Sequence, residues 1–135
     1  MSRVPPAVTV LVVDDDTEAR LLLRVMLESE GLGVLEAADG ATALEVMAGH
    51  RHVRLVVLDL HMPGLSGREV LDRIRSDPSS SWLPVMVRSG STDVDEEVEL
   101  LRSGADDVVS KSDSPDRLLA RVHALLRRTP PGSPV

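Results

Sequence analysis

Five short runs rich in Val and Leu alternate along the chain with segments whose apolar residues recur every three or four positions. The runs, read as β-strands, cover residues 9–13, 33–37, 55–58, 83–87 and 107–110. Around three of them the sequence reads VTVLVV, RLVVLD and ADDVVS, apolar or nearly so through the middle. Strands covered by helices on both faces of a parallel sheet have that character, whereas a half-exposed antiparallel sheet would alternate more.

The intervening segments predict five helices. The first spans 17–30 with Leu22, Val25 and Met26 as its apolar stripe and Gly31 as a left-handed stop. The second, 41–48, spaces Ala41, Leu44 and Met47 by three. The third, 68–75, turns Val70, Leu71 and Ile74 inward and ends before Asp77-Pro78. The fourth, 95–103, presents Val98 and Leu101, with Val94 just before it and Gly104 as its C′ residue. The fifth opens on Ser114-Pro115-Asp116, an N-cap followed by proline at the first helical position, and carries Leu118, Val122 and Leu125 on one stripe. Five βα pairs joined by short connections predict an α/β protein with an open, doubly wound parallel sheet and right-handed crossovers. The Pro-rich, polar ends, 1–7 and 129–135, read as mobile tails flanking one domain at 8–128.

Composition narrows the function. At 135 residues the chain fits a single core. Fifteen Lys and Arg against 22 Asp and Glu leave a net charge of −7, which disfavours direct binding to nucleic acid. The absence of cysteine excludes disulfides, thiolate metal sites and cysteine nucleophiles, and points to a cytoplasmic setting. No apolar run reaches the roughly 20 residues of a membrane helix, and the N-terminus lacks the apolar stretch of a secretion signal. Trp82 is the only aromatic residue and Lys111 the only lysine.

In a doubly wound sheet, ligands bind beyond the carboxyl ends of the strands. Here those ends carry Asp14-Asp15-Asp16, Asp59, Ser89-Gly90 and Ser110-Lys111. Two carboxylates about 4 Å apart repel by about 4 kcal/mol at an effective dielectric of 20, so Asp14, Asp15 and Asp59 need a proton or a cation among them. Hard oxygen donors select magnesium, calcium or manganese over zinc, and magnesium suits a site of one or two carboxylates that also engages a phosphate. Lys111 then supplies a compact cation and Ser89 a hydroxyl donor for the same anion. Taken singly, an Asp run after a strand is more often a solvated helix N-terminus, and Asp16 is read that way. His50, His52 and His123 are read as surface or helix residues.

Four segments together resemble the receiver (phosphoacceptor) domains of two-component response regulators: LVVDDD at 11–16, VLDLHMPGLSG at 57–67, LPVMVRSG at 83–90 and GADDVVSK at 104–111. The resemblance implies a flavodoxin-like (CheY-like) three-layer sandwich with strand order 2-1-3-4-5. It also implies that Asp59 accepts a phosphoryl group from a phosphohistidine on a sensor histidine kinase or histidine phosphotransfer protein, with Mg2+ as cofactor. On the same footing Asp15 is a direct metal ligand, Asp14 its partner acting through water, and His61 a ligand through its backbone carbonyl. Ser89 matches the hydroxyl switch residue and Lys111 the cation that pairs with the phosphoryl group. Such a chain is a signalling switch rather than an enzyme, catalysing only its own phosphorylation and dephosphorylation. It would dock a downstream protein partner, as a monomer or a phosphorylation-dependent dimer, and with no output segment after Arg128 it reads as stand-alone.

Three positions depart from the family pattern. Val108 stands where an aromatic residue is usual, and Ser112 where a proline in a cis peptide usually follows the lysine, so the 111–114 loop is expected to take another path. Arg88 replaces an apolar strand residue and either faces solvent or reaches a carboxylate. The departures at Val108 and Ser112 motivate the alternative of a degenerate receiver acting as a phosphorylation-independent interaction module; the intact Asp14, Asp15, Asp59, Ser89 and Lys111 count against it. A haloacid-dehalogenase-type phosphatase would need an aspartate where His61 stands, and a flavin-binding protein would need phosphate-cradling residues and aromatics that are missing.

Overall fold

A computed structural model describes residues 8–128, so the two proposed tails lie outside the described residues. Ten elements alternate strictly: β1 (Thr9–Val13), α1 (Thr17–Glu28), β2 (Gly33–Ala37), α2 (Gly40–Gly49), β3 (Val53–Asp59), α3 (Gly67–Ser76), β4 (Val85–Ser89), α4 (Val94–Arg102), β5 (Asp107–Ser110) and α5 (Pro115–Leu126). The strands form one sheet in the order β2-β1-β3-β4-β5, and every pairing is parallel. Alternation of side chains along each strand divides the core into two layers. Val10, Val12, Leu55, Val57 and Met86 pack with Leu23 and Leu27 of α1 and Leu118, Val122 and Leu125 of α5. Leu11, Val13, Val56, Leu58, Val85 and Val87 pack on the other face with α2, α3 and Leu100 of α4. The central strands β1 and β3 are therefore apolar on both sides, which explains their unbroken Val and Leu runs.

Side-chain caps start the helices where turn residues allow it. Asp16, Asp39, Ser66, Asp93 and Ser114 each accept a backbone N–H from the first turn of the following helix. Ser66 and Glu69 form a reciprocal capping box on α3. Gly31 and Gly104 take φ values of +80° and +115°, the left-handed conformation expected at those helix ends.

Two strands differ from expectation. β4 starts at Val85 because the Leu83 N–H is used by a turn to Ser80 and Pro84 has no N–H to give the ladder. β3 is longer than its apolar run because Arg54 is an extra residue: Thr9 pairs with Val53 but Val10 pairs with Leu55. Two helices are also rotated from expectation. On α1 the buried residues are Leu23 and Leu27, while Leu22 and Val25 are 62% and 57% exposed. LLLRVML is apolar nearly all round, so periodicity alone cannot choose the inward face. Arg20 and Arg24 choose it, since both bind Glu36 on edge strand β2 and their guanidinium groups donate to the Asp14 and Val34 carbonyls. On α4 only Leu100 is buried, and Val94, Val98 and Leu101 face outward. None of the helices among the described residues is long and apolar enough to cross a membrane.

Candidate functional site

The carboxyl ends of β1, β3 and β5 bring the acids and the lysine together, and Ser89 ends the neighbouring strand β4. Asp14 and Asp59 are each only 2% exposed, although both are carboxylates, while Asp15 faces solvent. One oxygen from each of the three lies within 4.8 Å of the others. Lys111 Nζ stands 2.8 Å from Asp59 Oδ1, and the His61 N–H donates to the same oxygen at 3.3 Å. Burial pushes the Asp14 carboxyl up from its ordinary range, and the nearby Asp59 charge adds to that; the Asp16 N–H at 2.9 Å pulls it back down in part.

Local structure makes this convergence possible. Leu60 donates its N–H to the Arg88 carbonyl, and Gly67 donates to the Leu60 carbonyl, folding the β3–α3 connection tightly over the strand end. A Cβ on Gly67 would sit against the Asp59 carbonyl oxygen and 2.8 Å from Leu60 Cα, so only glycine permits this approach. On the other side, the Lys111 N–H binds the Ser89 carbonyl at 2.9 Å and holds the lysine over the rim.

Ser89 is 3% exposed, but its hydroxyl is turned toward α4. It donates to Glu96 Oε1 at 3.1 Å and accepts the Ser91 N–H at 3.0 Å. Nothing in the spacing of the acidic helix face Asp95, Glu96 and Glu97 marks Glu96 as the partner of Ser89. Beside this contact a cavity of about 210 Å³ opens between α4 and β5, with Ser89, Glu96, Val108 and Arg121 in its lining. The loop after Lys111 is closed by serines: the Ser110 and Ser112 hydroxyls lie 2.7 Å apart, and the Ser112 N–H donates to Ser110 Oγ. The Lys111–Ser112 bond is trans, as are all peptide bonds of the described residues. His61 lies at the mouth of the site with an exposed side chain. Of the two courses open to Arg88, the structure takes the inward one, with Nη1 3.6 Å from Asp14 Oδ2.

The family model for the response regulator receiver domain matches residues 10–123. The chain belongs to that family. Among curated relatives, this receiver is 44% identical over 124 residues to response regulator MprA of Mycobacterium sp. (strain KMS), an alignment covering 92% of this chain and 53% of that protein. It is 37% identical over 124 residues to the phosphate regulon transcriptional regulatory protein PhoB of Pseudomonas aeruginosa, covering 92% and 54%. The chain thus spans about half the length of those relatives. Among solved structures, the receiver domain of Francisella response regulator 1452 superposes with a TM-score of 0.81 at 32% identity, covering 89% of this chain and 97% of that one. The chemotaxis protein CheY4 of Vibrio cholerae gives 0.82 at 26% identity, covering 87% and 98%. The fold is therefore CheY-like, and the receiver carries the two-component signalling architecture.

The donor set fits a hard divalent cation. It consists of carboxylate oxygens, one from each of Asp14, Asp15 and Asp59 within 4.8 Å of the others, and oxygen donors of this kind suit magnesium better than zinc. Asp14 is buried beside Asp59, and its charged neighbour Arg88 stays 3.6 Å away without a hydrogen bond, so a cation placed among these carboxylates would relieve their repulsion.

Proposed function

We propose that this receiver accepts a phosphoryl group on Asp59 from a phosphohistidine of a sensor kinase or phosphotransfer protein, in a reaction that requires Mg2+. The observation that carries this reading is the Lys111 ammonium 2.8 Å from a buried Asp59 that also belongs to a three-carboxylate cluster. Lys111 and the His61 N–H both engage Oδ1, and Oδ2 is the oxygen assigned to attack. It forms the new O–P bond in line as the P–N bond to the donor imidazole breaks, and the departing imidazole takes up a proton. Asp14, Asp15, Asp59 and the His61 carbonyl would hold the magnesium ion, which neutralises charge on the phosphoryl oxygens. Lys111 pairs with one of those oxygens, and the near-complete burial of Asp59 keeps water from its other faces.

Signalling follows from Ser89. Its hydroxyl now serves Glu96, so turning to donate to a phosphoryl oxygen would release α4 from β4 and couple the charge at Asp59 to that helix. Leu21, Leu22 and Val25 lie exposed on α1, whose first residue follows the acidic run directly, and give a protein donor apolar surface to bury. PhoB is named as a transcriptional regulator and is nearly twice as long; only the receiver step is carried over.

Incubation with acetyl phosphate and Mg2+ should add one phosphoryl mass to the chain. Asp59→Asn should abolish the gain. Labelling that persists in the Asn variant would move the phosphoacceptor away from Asp59, and labelling that never occurs in the wild type would favour a phosphorylation-independent module.

A further inference from the structure

Arg88 is the residue of the site whose bonding is least complete. It is the register partner of Asp59 across β3 and β4. Val12 and Met86 belong to the core layer under α1 and α5, and two residues farther along their strands Asp14 and Arg88 continue that same face. The Arg88 side chain is 14% exposed, yet Nε and Nη1 are buried without a hydrogen-bond partner. The nearest acidic oxygen is Asp14 Oδ2, 3.6 Å from Nη1, which is an ion pair without a hydrogen bond. Buried guanidinium donors are ordinarily satisfied, so an unsatisfied pair held against an acidic cluster needs a reason.

Charge supplies it. Three carboxylates converge on the rim and two fixed cations, Lys111 and Arg88, oppose them, which leaves one uncompensated negative charge. With an apolar residue at position 88 two would remain, the number a divalent ion neutralises. We infer that Arg88 is a resident counter-charge that competes with the divalent cation for Asp14 and so raises the concentration of Mg2+ needed to load the site. Its long side chain reaches the carboxylate without bonding tightly to it, which lets an arriving ion displace it. The choice of Mg2+ as the ion rests on the phosphoacceptor reading; the competition itself rests on the geometry of Arg88 and Asp14.

The test is direct binding of Mg2+ by calorimetry, and of Mn2+ by electron paramagnetic resonance, to the full chain and to Arg88→Met and Arg88→Lys. Removing a unit charge a few ångströms from a buried ligand should tighten binding about tenfold in Arg88→Met. Arg88→Lys keeps the charge and should stay close to wild type. Melting temperatures taken with and without Mg2+ separate this from a purely structural role. Loss of packing would lower both values equally, whereas competition predicts a larger Mg2+-induced rise in Arg88→Met. Binding to Arg88→Met that is unchanged or weaker than wild type overturns the inference, as does an Arg88→Lys as tight as Arg88→Met. If the wild type binds no Mg2+ but Arg88→Met does, the inference is upheld; if neither binds, it falls together with the metal-dependent function. A wild type that binds Mg2+ but gains nothing from Arg88→Met refutes the counter-charge alone.

Discussion

Two largely buried arginines sit at opposite ends of the sheet. At the amino-terminal end Arg75, 21% exposed, reaches from α3 across the entries of β4 and β5. Its guanidinium donates to the carbonyls of Gly104, Ser81 and Leu83 and to Asp106 Oδ2, which also accepts the Val85 N–H. At the carboxyl end Arg88 is more deeply buried and leaves two donors unmet. The residue type is the same, but the surroundings differ. At the lower end Arg75 is bonded to three carbonyls and a carboxylate and ties the strand entries together, whereas the upper end gathers acids, a hydroxyl and two cations that are only partly paired. On the function proposed above, the rim exchanges an ion and a phosphoryl group and so cannot satisfy every charge from within the protein. The amino-terminal end also has a cavity of about 200 Å³ beside Trp82, lined by Leu44, Met47, Arg51 and Asp77, so open volume alone does not mark the chemistry.

If that contrast is right, the largest loss of stability comes from the satisfied end. Arg75→Ala should cost about 3 kcal/mol in urea unfolding, because Asp106 and the three carbonyls lose their common donor. A loss no larger than that of an exposed arginine would break the comparison. Next, Gly67→Ala should cost about 2 kcal/mol, as the new methyl group forces the β3–α3 connection off Asp59 and Leu60. Phosphoryl uptake should fall with it, since the Asp59 carboxylate moves; full uptake in a destabilised variant would show that the connection does not position the acid.

The smallest change is expected at Asp14, with the opposite sign. Its carboxyl is raised mainly by burial, so folding favours the protonated form and the ionised form costs stability at neutral pH. That cost disappears as the pH falls through the raised folded value toward the ordinary carboxylate range. Asp14→Asn should therefore raise the melting temperature of the metal-free chain at neutral pH, with the difference from wild type closing on acidification. Asp14→Asn melting below wild type at neutral pH would show that the Arg88 and Lys111 charges outweigh the cost of burying the carboxylate.

Much of the fold was legible because strands and caps are local. The apolar middles of β1 and β3, Ser114-Pro115 at the start of α5, and Gly31 and Gly104 at helix ends all have one physical reading. The Val94, Val98 and Leu101 stripe on α4 misled because a short helix packed at one residue, Leu100, leaves the rest of its apolar side chains for solvent or partners. At the site, Asp14, Asp15, Asp59 and Lys111 could be grouped because parallel strands deliver their last residues to one edge.

By itself the chain order of polar and apolar residues determined the alternating elements, the parallel sheet and the edge on which the charged residues meet. These follow from periodicity and from the short reach of the backbone. Only the tertiary structure decided which side of α1 faces inward, that Ser89 is held by Glu96, and that Arg88 turns toward Asp14 and not toward solvent. Each of those outcomes depends on a balance between burial and pairing of side chains distant in sequence, which no local pattern contains.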